Sequence, residues 1–191
     1  MKRKDFLSLI GTMSFSLLNH DAMSIQDIQP EKFYFNDDGR IPNSKLPLLI
    51  YRKAVSEGIT ASQLQRQFAA NNWTNSWDNG IYSYHHYHST THEVLGVYAG
   101  SALLHLGGET GKRLEVAAGD IIIIPAGVGH KKLESAKNFG VVGAYPEGKS
   151  WDLLKGEPGE RPEADKNIAR VPIPSTDPLM GKSAGLTTIW S

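Results

Sequence analysis

The chain has 191 residues, 40% of them hydrophobic and 21% charged, which is enough for one domain with a substantial core and too short for two ordinary domains plus a leader. Lysine plus arginine (20) balances aspartate plus glutamate (20), so there is no large single-sign field to draw the protein to nucleic acid or anionic lipid. Cysteine is absent, which excludes disulfides, thiolate metal sites and a nucleophilic thiol.

In chain order, Met1-Lys2-Arg3-Lys4 is a basic opening, followed by an uncharged, largely apolar run from Phe6 to Leu18. That order is the one an export signal has, and Arg3-Lys4-Asp5-Phe6-Leu7 resembles a twin-arginine signal with lysine in place of the second arginine. Residues 1–23 are therefore expected to be an export signal, with a periplasmic destination; without such a signal the protein is cytoplasmic. Residues 24–77 read as an N-terminal extension. It is polar and turn-rich as far as Asn43, then carries a strand at Leu46–Tyr51 and a short helix over 61–72. Thr60 and Gln63 form a capping box for that helix, and Leu64, Phe68 and Trp73 recur at roughly helical spacing. One helix without a basic face is not a DNA-reading module, so no nucleic-acid partner is expected. Beyond the N-terminal run no stretch is apolar enough to cross a bilayer, so no stable membrane insertion is expected either.

From Asp78-Asn79-Gly80 onward the pattern changes to short strands separated by glycine. They are Ile81–His88, Glu93–Ala99, Ala102–Leu106, Arg113–Val116, Asp120–Ile124, His130–Leu133 and Phe139–Tyr145, with Gly107-Gly108-Glu109-Thr110-Gly111 as a hairpin turn. Strands this short and evenly spaced predict an all-β core over 78–146, an antiparallel sandwich or barrel. Ile121-Ile122-Ile123-Ile124 suits a strand covered on both faces. Residues 147–191 read as a surface loop and a tail whose apolar end, Leu186–Trp190, packs back on the barrel. Open sheet edges need cover, which the extension or a homodimer would supply.

Six of the seven histidines lie between His85 and His130, so function is sought there first. On a strand, residues two apart share a face, which groups Tyr82, Tyr84, His86 and His88 and sets His85 and Tyr87 opposite. Two histidines at i and i+2 can chelate one ion. Glu93 shares a face with Leu95 and Val97, whereas His92 belongs to the other face, so one of the two reaches the ion and hardly both. A further ligand has to come from elsewhere, and His130 follows a Pro125-x-Gly127 turn able to present it inward. Tyr82 and Tyr84 are candidates for positioning a substrate or giving up a proton, with filling of the barrel as the alternative. His92 and His105 are candidates for lining the pocket or supporting the ligands. Asp120 reads as a turn residue.

Two segments, Gly80-x5-His86-x-His88-x4-Glu93-x6-Gly100 and Gly119-x5-Pro125-x-Gly127-x2-His130, resemble the two motifs of the cupin superfamily, with Glu134 where that family most often has asparagine. The resemblance implies a double-stranded β-helix, or jelly-roll, barrel whose metal is held by His86, His88, Glu93 and His130. It selects Glu93 over His92. More narrowly, Pro47-Leu48-Leu49-Ile50-Tyr51, the run from His85 to Glu93 and Gly143-Ala144-Tyr145-Pro146 resemble the small bacterial YjlB-like cupins, a likeness that implies fold and metal site but no particular reaction. Three imidazoles and a carboxylate suit one divalent transition metal, whether iron, manganese, nickel, cobalt or zinc. The expected function is a metal-dependent enzyme of dioxygenase or isomerase/lyase type acting on a small polar organic molecule. The alternative is a non-catalytic cupin that binds a sugar or organic acid with the metal as anchor.

Overall fold

The computed structural model describes residues 28–191, so the expected export signal lies outside the described residues. Along them run β1 (Glu31–Phe33), β2 (Leu48–Tyr51), α1 (Ala61–Ala70), β3 (Trp73–Asn79), β4 (Glu93–Ala99), β5 (Ser101–Leu106), β6 (Lys112–Ala117), β7 (Ile121–Ile124), β8 (His130–Ser135), β9 (Gly140–Pro146), α2 (Glu163–Ile168) and α3 (Leu186–Ile189). The strands form two antiparallel sheets, a large one in the order β1-β2-β7-β4-β9-β3 and a small one in the order β6-β5-β8. This is an all-β jelly-roll sandwich with few helices. No helix among the described residues is long and apolar enough to cross a membrane.

Alternation along the strands decides what fills each layer. Leu48, Ile50, Leu95, Ile122 and Ile124 of the large sheet meet Ala102, Leu104, Leu106 and Val116 of the small one. The next residues in each strand, among them Leu49, Tyr51, Val94, Ile121 and Ile123, point the other way and are covered by Leu64 and Phe68 of α1 and by Leu186 and Trp190 of the tail. The four isoleucines of β7 are therefore all buried, and each contributes roughly 1.5–3 kcal/mol on leaving water. Helix α1 starts at a complete capping box, with Thr60 Oγ1 accepting from Gln63 N–H and Gln63 Oε1 accepting from Thr60 N–H. Gly96 lets this helix lie close to β4, because a Cβ there would sit 2.9 Å from the Phe68 ring and 3.0 Å from Leu64.

The fold differs from the sequence expectation in three respects. Strands β1 and β3 form where none was expected, and both join the large sheet, β3 pairing with β9 through Trp77↔Gly143 and Asn79↔Val141. The expected strand Ile81–His88 does not form. That segment crosses the open end of the sandwich, and its regular pairing is confined to a bridge from His86 to His130 and another from Tyr87 to Leu154. Third, the tail folds into α2, which packs Ala164 and Ile168 against Ile41 and Tyr87, and α3, which starts beside one buried carboxylate. Asp177 accepts from Tyr51 Oη at 2.7 Å, Leu179 N–H at 2.8 Å, Leu186 N–H at 2.9 Å and Met180 N–H at 3.0 Å. Trp190 Nε1 adds a bond to the Pro47 carbonyl at 3.0 Å.

Asp177→Ala leaves those donors buried without an acceptor and is expected to cost about 3 kcal/mol or more, since each orphaned donor costs roughly 1–3 kcal/mol. Urea denaturation checks this, with the exposed Ile173→Ala expected to change stability by less than about 0.5 kcal/mol.

Candidate metal centre

Three parts of the fold bring donors to one end of the sandwich. His86 and His88 come from the crossing segment, Glu93 opens β4 and His130 opens β8. His86 N–H donates to the His130 carbonyl at 3.2 Å and His130 N–H returns a bond to the His86 carbonyl at 2.9 Å, which fixes the two rings 4.0 Å apart, centre to centre. Gly127 N–H donates to the His88 carbonyl at 2.8 Å. Only glycine suits that turn, because its φ is +92° and a Cβ would lie 2.4 Å from the Asn43 carbonyl oxygen.

A ring nitrogen from each of His86, His88 and His130 lies within 4.8 Å of the others. Glu93 Oε2 is 3.5 Å from His88 Nε2 and 3.4 Å from His130 Nε2. Two donors about 2.0–2.2 Å from one ion, at octahedral or tetrahedral angles, are roughly 3 to 3.5 Å apart, so this spacing suits a shared cation. The other ring nitrogens are engaged from behind. His86 Nδ1 faces the Tyr84 carbonyl at 3.3 Å, His130 Nδ1 the Val128 carbonyl at 3.2 Å, and His88 Nδ1 the Asp152 carbonyl. A proton assigned to each Nδ1 by these acceptors leaves Nε2 to face the shared point.

Glu93 is the most constrained member. Tyr145 Oη donates to its Oε1 at 2.8 Å and itself accepts from Trp77 Nε1 at 2.9 Å. Oε2 is buried and has no hydrogen-bond partner among the described residues. Burial by itself pushes the Glu93 carboxyl up, but the imidazoles of His88 and His130 outweigh it and hold the group below the ordinary carboxylate range. For His88 burial pulls downward and the Glu93 charge outweighs it, so that imidazole is raised. His86 is pushed down to about 2 by burial, then by His130 and His88, and stays neutral. An ionised carboxylate oxygen left unpartnered among imidazoles is costly. A divalent cation at this point satisfies it, so the donor set fits a metal.

The donors form the floor of a cavity of about 450 Å³ with Trp77, Ile81, Leu95 and Trp151 among its walls and Tyr82 and Lys132 also lining it. Trp151 belongs to the 147–155 loop, which the sequence marks only as surface. Its indole stacks on Tyr145 at 4.6 Å, and Asp152 next to it accepts from Ser89 N–H at 2.7 Å and Thr90 N–H at 3.3 Å. The loop thus covers the site and also fixes the turn that follows His88.

The other sequence candidates separate. Tyr82 reaches the cavity, edge-on to His86 at 5.1 Å. Tyr84 stacks on Tyr82 at 4.9 Å but lines a neighbouring depression, with Lys155 Nζ 4.9 Å over its ring. His92 points away from the cavity, its ring 4.9 Å from Trp190 and its Nδ1 accepting from Ala126 N–H at 3.0 Å. His105 also lies outside the cavity, because Leu104 and Leu106 on either side of it face the core; it meets His85 instead, at 4.8 Å. Sequence reasoning missed Tyr145, Trp77, Trp151, Asp152 and Lys132. Tyr145 alone left a signal, as the polar tip of the otherwise apolar β9.

An antiparallel sandwich with three imidazoles and a carboxylate gathered at one end is the architecture of a cupin. No protein-family model matches the chain. Over 163 residues it is 44% identical to the uncharacterised protein YjlB of Bacillus subtilis (strain 168), a match covering 85% of this chain and 97% of that one. The chain belongs to the YjlB family, and its fold is the cupin jelly roll. Solved structures are more distant. Acireductone dioxygenase from Bacillus anthracis with cadmium in its active centre is 15% identical over 55% of this chain and 82% of that chain, with a TM-score of 0.38. An oxalate decarboxylase of Bacillus subtilis is 17% identical over 61% of this chain and 29% of that chain, with a TM-score of 0.35. Likeness at this level carries no argument about chemistry.

His92 yields a pH prediction. Burial, chiefly, holds it down to about 4 in the folded chain, against an ordinary value of 6.5. Below 6.5 the unfolded chain takes up the proton first, so the contribution is complete above that value and falls as the pH drops towards 4, by up to about 1.4 kcal/mol per pH unit. In chelator-stripped protein, His92→Asn is expected to flatten the loss of stability across that interval, measured by urea denaturation at each pH. An unchanged slope would contradict it.

Proposed function

We propose that His86, His88, Glu93 and His130 hold one divalent transition-metal ion and that the protein is a metal-dependent enzyme acting on a small polar organic molecule. The observation that supports this most is the convergence of the His86, His88 and His130 rings at the floor of a cavity, with the unpartnered Glu93 Oε2 3.5 Å from His88 Nε2 and 3.4 Å from His130 Nε2. Imidazoles with one carboxylate suit iron(II), manganese(II), nickel(II), cobalt(II) or zinc(II), and six-coordinate geometry leaves two positions for a chelating molecule. When bound, such an ion would polarise a carbonyl or enediolate oxygen, as in isomerase or lyase chemistry, or support dioxygenase chemistry.

The chain's own residues supply the surroundings. Tyr145 orients Glu93; burial first, then the Glu93 charge, pushes its phenol up, so it remains a donor. Trp77, Leu95 and Trp151 give the cavity apolar walls that exclude water from one side of the ligand. Lys132 offers a cation to the anionic end of a substrate such as a hydroxy or keto acid, and Tyr82 offers a phenolic proton near His86.

A second reading, a binding module that captures a sugar or organic acid with the ion as anchor, is favoured by one observation. Apart from the proposed ligands and Tyr145, the cavity's proton-carrying side chains are Tyr82, Asp78 and Lys132, of which the first two are exposed and the third half-buried.

Chelator-stripped protein is expected to take up a transition metal at this site with high affinity, His88→Ala to lose that uptake, and Tyr145→Phe to weaken it by about 10- to 100-fold. Affinity is expected to fall as the pH is lowered through the raised His88 value, because its proton competes for the same Nε2. Isothermal titration with each metal checks all of these. Absence of stoichiometric transition metal even after reconstitution would overturn the proposal. Ligand binding without turnover in both the wild type and His88→Ala would favour the binding module.

A further inference from the structure

We propose that His85, His105 and Glu109 form a second, separate cation site on the opposite side of the chain from the first, and that it takes a zinc-class ion. His85 follows its neighbour His86 in neither direction nor company: its ring turns outward to lie 4.8 Å, centre to centre, from His105 on β5. A ring nitrogen of each histidine and a carboxylate oxygen of Glu109 all lie within 4.8 Å of one another. His85 Nε2 is 3.5 Å from Glu109 Oε1, the separation seen between His88 and Glu93 and one that suits two donors on one ion.

The second observation is the state of the nitrogens. The His85 side chain is only 8% exposed, and neither of its ring nitrogens finds a hydrogen-bond partner among the described residues. His105 is 4% exposed and its Nδ1 is likewise without a partner. Buried imidazole nitrogens are ordinarily hydrogen-bonded or bound to metal, since leaving them without either is costly.

Access is available from one side. Glu109 sits in the exposed turn between β5 and β6, and His85 and Glu109 open on a cavity of about 410 Å³ that Asp38, Arg40 and Lys131 also line. Two imidazoles and a carboxylate select zinc(II), copper(II) or nickel(II) over magnesium or calcium, which prefer oxygen donors. Lys131 opposes binding. Its Nζ lies 2.9 Å from Glu109 Oε1, so an arriving ion has to displace an ammonium from its own ligand. That competition places the affinity of this site below that of the first. Once filled, it ties β5 and the β5–β6 turn to the backbone segment that carries His85.

Zinc titrated into chelator-stripped, full-length protein against a chromogenic chelator tests the proposal. The wild type is expected to take two equivalents. His105→Ala and Glu109→Ala are each expected to weaken the second by about tenfold or more and to leave the first unchanged. Lys131→Ala is expected to tighten the second, and His88→Ala to remove the first and keep the second. Glu109 is exposed, so its variant and that of Lys131 report even if His105→Ala does not fold. Saturation of the wild type at one equivalent, or two unweakened equivalents in Glu109→Ala, would overturn it.

Discussion

The cost of burying the Glu93 carboxylate governs this end of the molecule. One of its oxygens is held by Tyr145, and the other faces His88 and His130 with no hydrogen bond to satisfy it. A charge taken out of water this far destabilises a fold unless it is paired and fully hydrogen-bonded. The imidazoles supply part of the compensation, since Glu93 raises His88 while burial keeps His86 neutral. A divalent cation would supply the remainder. Many of the surrounding contacts serve to keep that carboxylate and those rings in place.

Those contacts run through the whole sandwich. Tyr145 lies on β9, the neighbour of β4, and takes a bond from Trp77 on β3, the edge strand beyond it, so that flank of the large sheet supports Glu93. The small sheet contributes His130 at the start of β8, opposite Leu106 in the core-facing register. The loop that follows β9 closes the arrangement, with Trp151 stacked on Tyr145, Asp152 holding the turn after His88, and Leu154 exchanging backbone bonds with Tyr87 at 2.8 and 3.0 Å. Side chains on the reverse of the same segment, His85 above all, meet β5 and its turn. The candidate metal centre and the fold's end closure are therefore one structure.

Much of this is legible in the residues. The bounds of β4 follow from the mostly apolar run between Glu93 and Ala99 that Gly100 ends, and the four isoleucines of β7 announce a strand covered on both faces. The pairing of His86 with His88 on one side holds although their segment is no strand, because the carbonyls of Tyr84 and Asp152 orient the two rings. The outward turn of His105, which the sequence left open, follows in the structure from Ala102, Leu104 and Leu106, which share the core face. Strand β3 was not readable: Trp73-Thr74-Asn75-Ser76-Trp77 is polar, and a register shift between Thr74 and Trp77 breaks its two-residue period. Asp152 and Trp151 meet Ser89 and His88, some sixty positions earlier in the chain, and such contacts leave no local pattern.

Anomalous diffraction from crystals of metal-loaded protein, recorded at the absorption edge of the bound element, tests the central claim most directly. The account predicts a strong peak within coordination distance of the Nε2 atoms of His86, His88 and His130 and of Glu93 Oε2, with the Tyr145 bond to Oε1 retained. Density with no anomalous peak at that point in protein carrying stoichiometric metal, or a peak from which Glu93 is turned away, would contradict it.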